Sequence, residues 1–509
     1  MAQQLKSINL LAPAFKGLNT DDAALAQDPS FAEVADNAVI DRRGRLAARR
    51  GLEVVTTTKT ELGSDVISAI HEFRDSSGNE VTFSVGNNKI LSGETTLTDA
   101  TPGSYTISAD NWKMVNFNDH IYFFQRGQEP LAYSNTLGAV TKLSSVAGAA
   151  GVASTMYGNE VLAAYGRLWT ADITNNTTTV YWSDLLQGHV WTGGSSGSLD
   201  VTNVWPNGYD EIVALAAHND FLIIFGRSNI LVYGGAEDPS TMTLSDAITG
   251  VGCADRDTVQ STGSDLIYLS YTGLASLGRT IQEKSMPTNN LSKNITKDIV
   301  ALIADESTGY SSVYHPARQF YLLSFKGNQV TYCFDTRGAL EDGAYRATRW
   351  PAYGNKCFHS SDRETGRLLI GGSHGIGTYS SYQDDGSSYR FKYTSPELSF
   401  GDTAVLKFLK KIKPTVIGGN AQPVTLRWAY DFGSNYDSFA IVTSASAPSE
   451  YNVAQFNIDE FSSGDLVIRE SVNTNGSGTT LAIGIEADID GTELSIQEIN
   501  VLALTGRVL

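Results

Sequence analysis

The stretch "EADIDGTELSIQ", Glu486 to Gln497, sets carboxylates at its first, third and fifth positions and Gly491 at its sixth. That is the order in which a calcium loop presents its oxygen ligands. The twelfth position, where such a loop needs a bidentate Glu, is Gln497, and the flanks alternate like strands. A hairpin turn is the expected structure. "GGSHGIG", Gly371 to Gly377, has the glycine density of a phosphate-cradling loop, yet no Lys-Ser/Thr follows and it opens no helix. It too reads as a turn. The seven histidines (His71, His120, His189, His218, His315, His359 and His374) are scattered without metal-ligand spacing. Asp21 and Asp22, like Asp384 and Asp385, are adjacent, so in extended chain their carboxylates point apart. No Gly-x-Ser-x-Gly elbow lies in a strand-turn-helix setting. No enzyme, cofactor or metal is expected.

Charge is the more informative signal. The chain has 509 residues and a formal net charge of −18, which disfavours a surface that grips nucleic acid along its length. Acidity suits a path that DNA slides through without sticking, and it equally suits simple solubility. Against that background Arg42, Arg43, Arg45, Arg49 and Arg50 form the sharpest charge feature. Guanidinium groups so gathered could pair with carboxylates of a neighbouring subunit or face DNA phosphates, or they could lie on a solvated strand-turn-strand around Gly44. Lys407, Lys410, Lys411 and Lys413 form a second run, interleaved with Leu406, Phe408, Leu409 and Ile412. One apolar face on a strand or short helix explains it, and an interface role is the alternative. The candidate assembly residues are therefore the five arginines together with Lys407, Lys410 and Lys411.

The elements that hold these residues are strands. "NDFLIIFGRSNILVYGG", Asn219 to Gly235, is a hairpin so apolar that it must be covered on both faces. Six relatives surround it, starting at Asn79, Asn118, Tyr165, Ser264, Ala317 and Thr365. Their turn residues (Gly86, Gly127, Asn175, Gly226, Gly273, Gly327 and Gly371) recur at separations of 41 to 54 residues. That spacing, with both faces covered, predicts a β-propeller of six or seven blades over 61–394, the hairpin forming the inner half of a blade. Residues 1–60 lack the hairpin signature and read as an N-terminal assembly segment. From 395 to 509, alternating strands with long polar connections predict a separate antiparallel β-sandwich-like domain. Cys253, Cys333 and Cys357 make no CxxC pair, so a reducing cytoplasm is the expected place of folding. No signal peptide and no membrane-spanning run is apparent.

"FKGLNTDDAALAQDPSFAEVADNAVIDRRGRLAARRGLEVV", Phe15 to Val55, resembles the opening of tail nozzle (tail hub, or stabilisation) proteins of short-tailed bacteriophages. The matching positions are Gly17, Leu18 and Asn19, then Ala35, Asn37, Val39, Ile40 and Asp41, then Gly44, Arg45, Arg49, Arg50 and Gly51. "VYWSDLLQGHVW" from Val180 and the closing "SIQEINVLALTGRVL" are similar to further parts of such chains. The resemblance implies a virion protein at the tail tip, made in the host cytoplasm. It implies a homohexameric ring below the tail adaptor that prolongs the DNA channel, retains packaged DNA and helps to anchor fibres or spikes. A propeller scaffold or receptor-binding protein is the alternative. A polysaccharide-cleaving propeller, with carboxylates from distant blades, is a more remote one; the Ser-x-Asp-x-Gly-x-Thr-Trp turn of sialidase-like propellers is absent.

Overall fold

The computed structural model describes residues 4–12, 14–283, 290–351, 356–361, 366–418, 422–442 and 467–508. Seven antiparallel sheets succeed one another along the chain, at 69–99, 113–142, 158–200, 212–249, 260–276, 310–351 and 357–379. The fifth has three strands and each of the others four. First strands of successive sheets lie side by side, and Cys357–Ser360 of the last packs on Ala69–Arg74 of the first. The sheets therefore stand radially around one axis. The protein is a β-propeller of six four-stranded blades, with the three-stranded sheet filling the fifth place in the ring. There the innermost strand is the short Gln260–Ser261, preceded by the 3-10 turn Arg256–Thr258, which packs between the innermost strands of the fourth and sixth blades; among the described residues no outermost strand follows Gly273–Ser276.

The apolar hairpin shows why the blades stack. Phe221–Gly226 and Asn229–Gly234 are neighbours in the fourth blade, and successive side chains point to opposite faces. Leu222, Ile224, Leu231 and Tyr233 pack with Trp169 and Trp182 of the third blade. Ile223, Phe225, Ile230 and Val232 pack with Leu266 and Tyr268 of the fifth. Both faces are dry, so the sequence has no polar alternation. The hairpin is the middle pair of its blade, however, and not the inner half. The innermost strand is Ile212–His218, whose Ala214, Ala216 and Ala217 suit the narrow space where sheets converge on the axis. All seven hairpins recognised in the sequence are second and third strands.

Closure uses the N-terminal segment. Leu52–Val54 pairs with Gly375–Tyr379 and becomes the outermost strand of the seventh blade. The strands beyond residue 395 lie in two further sheets. One continues the sixth blade: Arg346–Pro351 meets Val34–Asp36 in parallel, and Tyr389–Thr394, Leu481–Ile489, Pro423–Tyr430 and Asp437–Val442 follow. The other is built on the long strands Val405–Gly418 and Leu494–Val508, joined by Gln4–Leu10 and by the hairpin of Ala38–Ile40 with Leu46–Ala48. Phe15, Phe391, Ile412, Ile483 and Ile496 fill the space between them, and the same core runs on to Tyr321 and Phe334 of the sixth blade.

Candidate functional site: an arginine-lined cleft

The segment Asn37–Gly51 is shaped by a few side chains. Asn37 adopts a left-handed φ of 53°, donates to the Arg390 carbonyl at 2.7 Å and accepts from Arg49 Nε at 2.9 Å. The Asp41 carboxylate accepts the Arg43 and Arg45 backbone N–H groups at 2.8 and 2.9 Å, and Gly44 turns the chain at φ +78°. Asp41 also pairs with the Arg45 guanidinium at 2.5 Å. Gly51 has no room for a side chain, since a Cβ there would lie 1.9 Å from the Gln383 carbonyl oxygen.

Arg49 is an internal tie. It is 1% exposed, grips Asp384 through both terminal nitrogens at 2.9 and 2.6 Å, and donates to the Arg50 carbonyl. Its guanidinium carbon stands 4.1 Å from the Tyr389 ring centre. Asp384 therefore fastens the N-terminal segment to the chain just after the seventh blade, and Asp385 turns away at φ 50°. Asp21 serves structure as well: its two oxygens accept the first N–H groups of the helix Thr296–Asp305 at 2.9 and 3.0 Å.

The other four arginines line a cavity of about 780 Å³ between this hairpin, the sixth and seventh blades and the start of the last strand. The fold brings Arg318, Arg337 and Arg367 into the same wall, so seven guanidiniums face one cleft with two carboxylates, Asp41 and Glu493. Some are internally occupied. Arg337 pairs with Asp335 at 2.6 Å and donates to the Asp41 and Ile40 carbonyls. Arg367 forms a bidentate pair with Glu94 at 2.9 and 2.6 Å. Arg42, Arg50 and Arg318 have no carboxylate partner among the described residues. Arg42 reaches only the Ala317 carbonyl, at 3.5 Å. Arg50 lies over Tyr382 at 5.9 Å and Arg318 over Tyr379 at 5.7 Å. Burial, and after it the charges of Arg50 and Arg42, lower the Arg318 pKa. His315 behind it is pushed down to about 4, by burial and then by Arg318. Arg42, Arg50 and Arg318, without carboxylate partners, leave the concavity with a local positive potential that an anion would relieve.

Sequence reading found this site from one side only. Arg318, Arg337 and Arg367 each sit beside a hairpin of a late blade, as "HPARQF", "DTRG" and "TGRLL", and nothing local marks them. Only ring closure sets them against residues three hundred positions earlier. The lysine run is split by the structure. Lys407 is 1% exposed and donates to the Asp402 and Thr479 carbonyls, so it is a buried tie. Lys410, Lys411 and Lys413 face solvent on the strand Val405–Gly418, where a bulge between Leu409 and Lys411 turns two consecutive lysines outward. Glu486 of the calcium-like stretch is bound to Arg390 and Arg427, and Gly491 forms a hairpin turn at φ +79°.

The propeller axis is a second concavity, and it is filled. Two cavities of about 180 and 170 Å³ lie along it, each with room for about six waters at liquid density. Glu160, fully buried, holds Lys113 at 2.7 Å and accepts the Leu215 N–H at 3.2 Å. Arg256 spans to the Asn111 carbonyl. The rings of His71 and His359 lie beside them, 4.6 Å apart and tilted by 57°. Among the described residues no group of His, Cys, Asp or Glu is arranged to hold a metal ion, and no helix is long and apolar enough to cross a membrane.

The fold defines a β-propeller protein. No protein-family model and no curated protein matches the sequence. Among solved structures the chain is similar to the WD40 domain of Neurospora crassa Pan2, at 9% identity and TM-score 0.39, over 65% of this chain and 94% of that one. It is also similar to the computationally designed protein Ika8, at 8% identity and TM-score 0.36, over 65% and 99%. The C-terminal WD40 domain of Sif2 aligns at 12% identity and TM-score 0.35, over 66% and 88%.

Proposed function

We propose that this protein is a non-catalytic structural component of a short phage tail. In this reading copies assemble into a hexameric ring below the tail adaptor, and the ring prolongs the DNA channel, retains packaged DNA and helps to anchor fibres or spikes. The observation that carries the reading is the role of the residues behind the family resemblance. Gly17, Asn37, Arg49 and Gly51 hold the N-terminal segment against the sixth blade and the chain that follows the seventh, while Asp41 and Gly44 shape the turn of its hairpin. A Cβ on Gly17, for example, would meet the Ala347 backbone nitrogen at 2.7 Å. A motif made of fasteners suits a block that carries load better than it suits a catalyst. The filled axis is compatible, because DNA in such an assembly passes between subunits and not through one propeller. Heterologous contacts between identical copies, repeated around an axis, close such rings.

The test is solution mass by light scattering with negative-stain images of the same sample, alone and mixed with portal–adaptor complexes. A sixfold ring with an open centre in either condition is the expected result. A monomer in both conditions, or turnover of a polysaccharide, overturns the proposal.

A further inference from the structure

The arginine-lined cleft is built to hold something. Arg42, Arg43 and Arg318 are exposed along it, while Arg50 is half-buried. Bringing Arg42, Arg50 and Arg318 together without carboxylate partners costs electrostatic energy, and a fold keeps such an arrangement where a ligand repays it. The lining between them is mixed: Ile40 is half-buried and Leu368 buried, beside Thr378 and Ser380. A volume of about 780 Å³ exceeds what a lone small anion fills and lies within the range of ligand-sized clefts.

Two features choose among anions. Nucleic acid bound in such a cleft would be held through phosphates and through bases stacked on open aromatic faces. Here the rings are already used: Tyr379 lies parallel to Trp350 at 5.6 Å and carries Arg318 near it, and Arg50 stands over Tyr382. The rest of a chain of net charge −18 also repels a long polyanion, whereas a short acidic segment enters only the local field. Cationic side chains beside the half-buried Ile40 match a peptide that carries carboxylates with an aliphatic side chain among them.

We propose that the cleft is a docking site for a short acidic peptide segment of a partner protein, with its carboxylates on Arg42, Arg50 and Arg318 and an aliphatic side chain against Ile40. The proposal holds whether or not the chain forms a ring. The probe is a fluorescein-labelled peptide, Glu-Leu-Asp-Glu-Leu-Asp, titrated with the full chain by fluorescence anisotropy. Binding is expected at low salt and should weaken as salt is raised. Arg42→Ala and Arg318→Ala should each weaken it by about tenfold or more, while Lys411→Ala, which removes one exposed charge elsewhere, leaves it unchanged. Should Arg318→Ala fail to fold, as judged by its melting curve, the rim variants Arg42→Ala and Arg42→Glu carry the test. Absence of binding by the folded wild-type chain overturns the proposal, and so does an equal loss in Lys411→Ala. Displacement of the probe by tripolyphosphate or by a thymidine oligonucleotide at lower concentration than by unlabelled peptide also overturns it, in favour of a simple anion site or of nucleic acid.

Discussion

The link between Arg49 and Asp384 makes a quantitative prediction. Arg49→Met keeps most of the side-chain length but removes both nitrogens from Asp384, the donor to Asn37 and the donor to the Arg50 carbonyl. Removing one partner of a buried pair usually costs about 3–5 kcal/mol, because the other charge is left behind. The Asp384 side chain keeps 29% of its accessible surface, so water can partly solvate it and the low end applies, about 3 kcal/mol. Asp384→Asn should cost less, about 2 kcal/mol, since Arg49 keeps Asn37, the Arg50 carbonyl and the Tyr389 face. In the double variant neither charge is stranded. Its cost should be about 3 kcal/mol, which leaves a coupling of about 2 kcal/mol. The assay is equilibrium urea unfolding of the four proteins, with hydrogen exchange at the Leu52 amide, which donates to Asp384 at 3.2 Å, as the local reporter. Costs that add to within about 0.5 kcal/mol would refute the reasoning. They would mean that Arg49 acts by packing on Tyr389 alone.

Three further outcomes are expected. Gly51→Ala forces a Cβ against the Gln383 carbonyl, which is backbone and cannot swing away, so it should lower the melting temperature; Gly103→Ala, where a Cβ meets nothing, should be neutral or stabilising by up to about 1 kcal/mol. Burial lowers the pKa of His71 well below its ordinary value, and holds His315 and His374 down at about 4. The unfolded chain then binds up to three more protons than the native one, so stability should fall as pH drops from about 6.5 towards 4, by up to about 1.4 kcal/mol per pH unit for each histidine. His315→Asn and His374→Gln should flatten that slope in urea titrations at pH 6.5 and 5, and an unchanged slope would show that these histidines are protonated in the native state. Cys253, Cys333 and Cys357 are buried, and burial raises all three thiol pKa values, so Ellman's reagent should label none in the native protein and all three in denaturant; labelling of the native chain would mean that a blade opens.

The middle hairpins were readable because each of their strands is buried on both faces. That leaves long apolar runs on either side of a Gly or Asn turn. The innermost strands were not, since Ile212–His218, with alanines at 214, 216 and 217, shows no polar alternation and also suits a helix. The outermost strands were not either: Gly197–Asp200, half in water, is "GSLD". The fifth sheet looked like any other repeat, because its missing strand was one of these unreadable ones. Closure by Leu52–Val54 is a pairing of three residues with a strand more than three hundred positions away, and no local pattern encodes it. The cleft was half legible for the same reason. Five arginines adjacent in sequence stand out, while the three that complete the wall are single residues on late blades. Nor did the cluster reveal that Arg49 turns inward, which depends on where Asn37 and Asp384 stand.

The pairing of Gln4–Leu10 with Leu494–Val508 sets the order in which the molecule can be finished. Asn9 and Glu498, joined by a hydrogen bond at 3.0 Å, are 489 residues apart. As the chain leaves the ribosome, its first strand is born without a partner and stays so until the closing stretch emerges. At about 5–20 residues per second that wait lasts on the order of half a minute or more. The arginine hairpin waits too, since its neighbour Leu494–Val508 and the Asp384 that holds Arg49 are both made late. Blades can stack as they appear, each on the one before. The junction that joins the propeller to the C-terminal sheets cannot begin to lock until Leu494–Val508 has been made, and a nascent chain stalled before that point would carry an unpaired strand edge and an exposed cluster of cations.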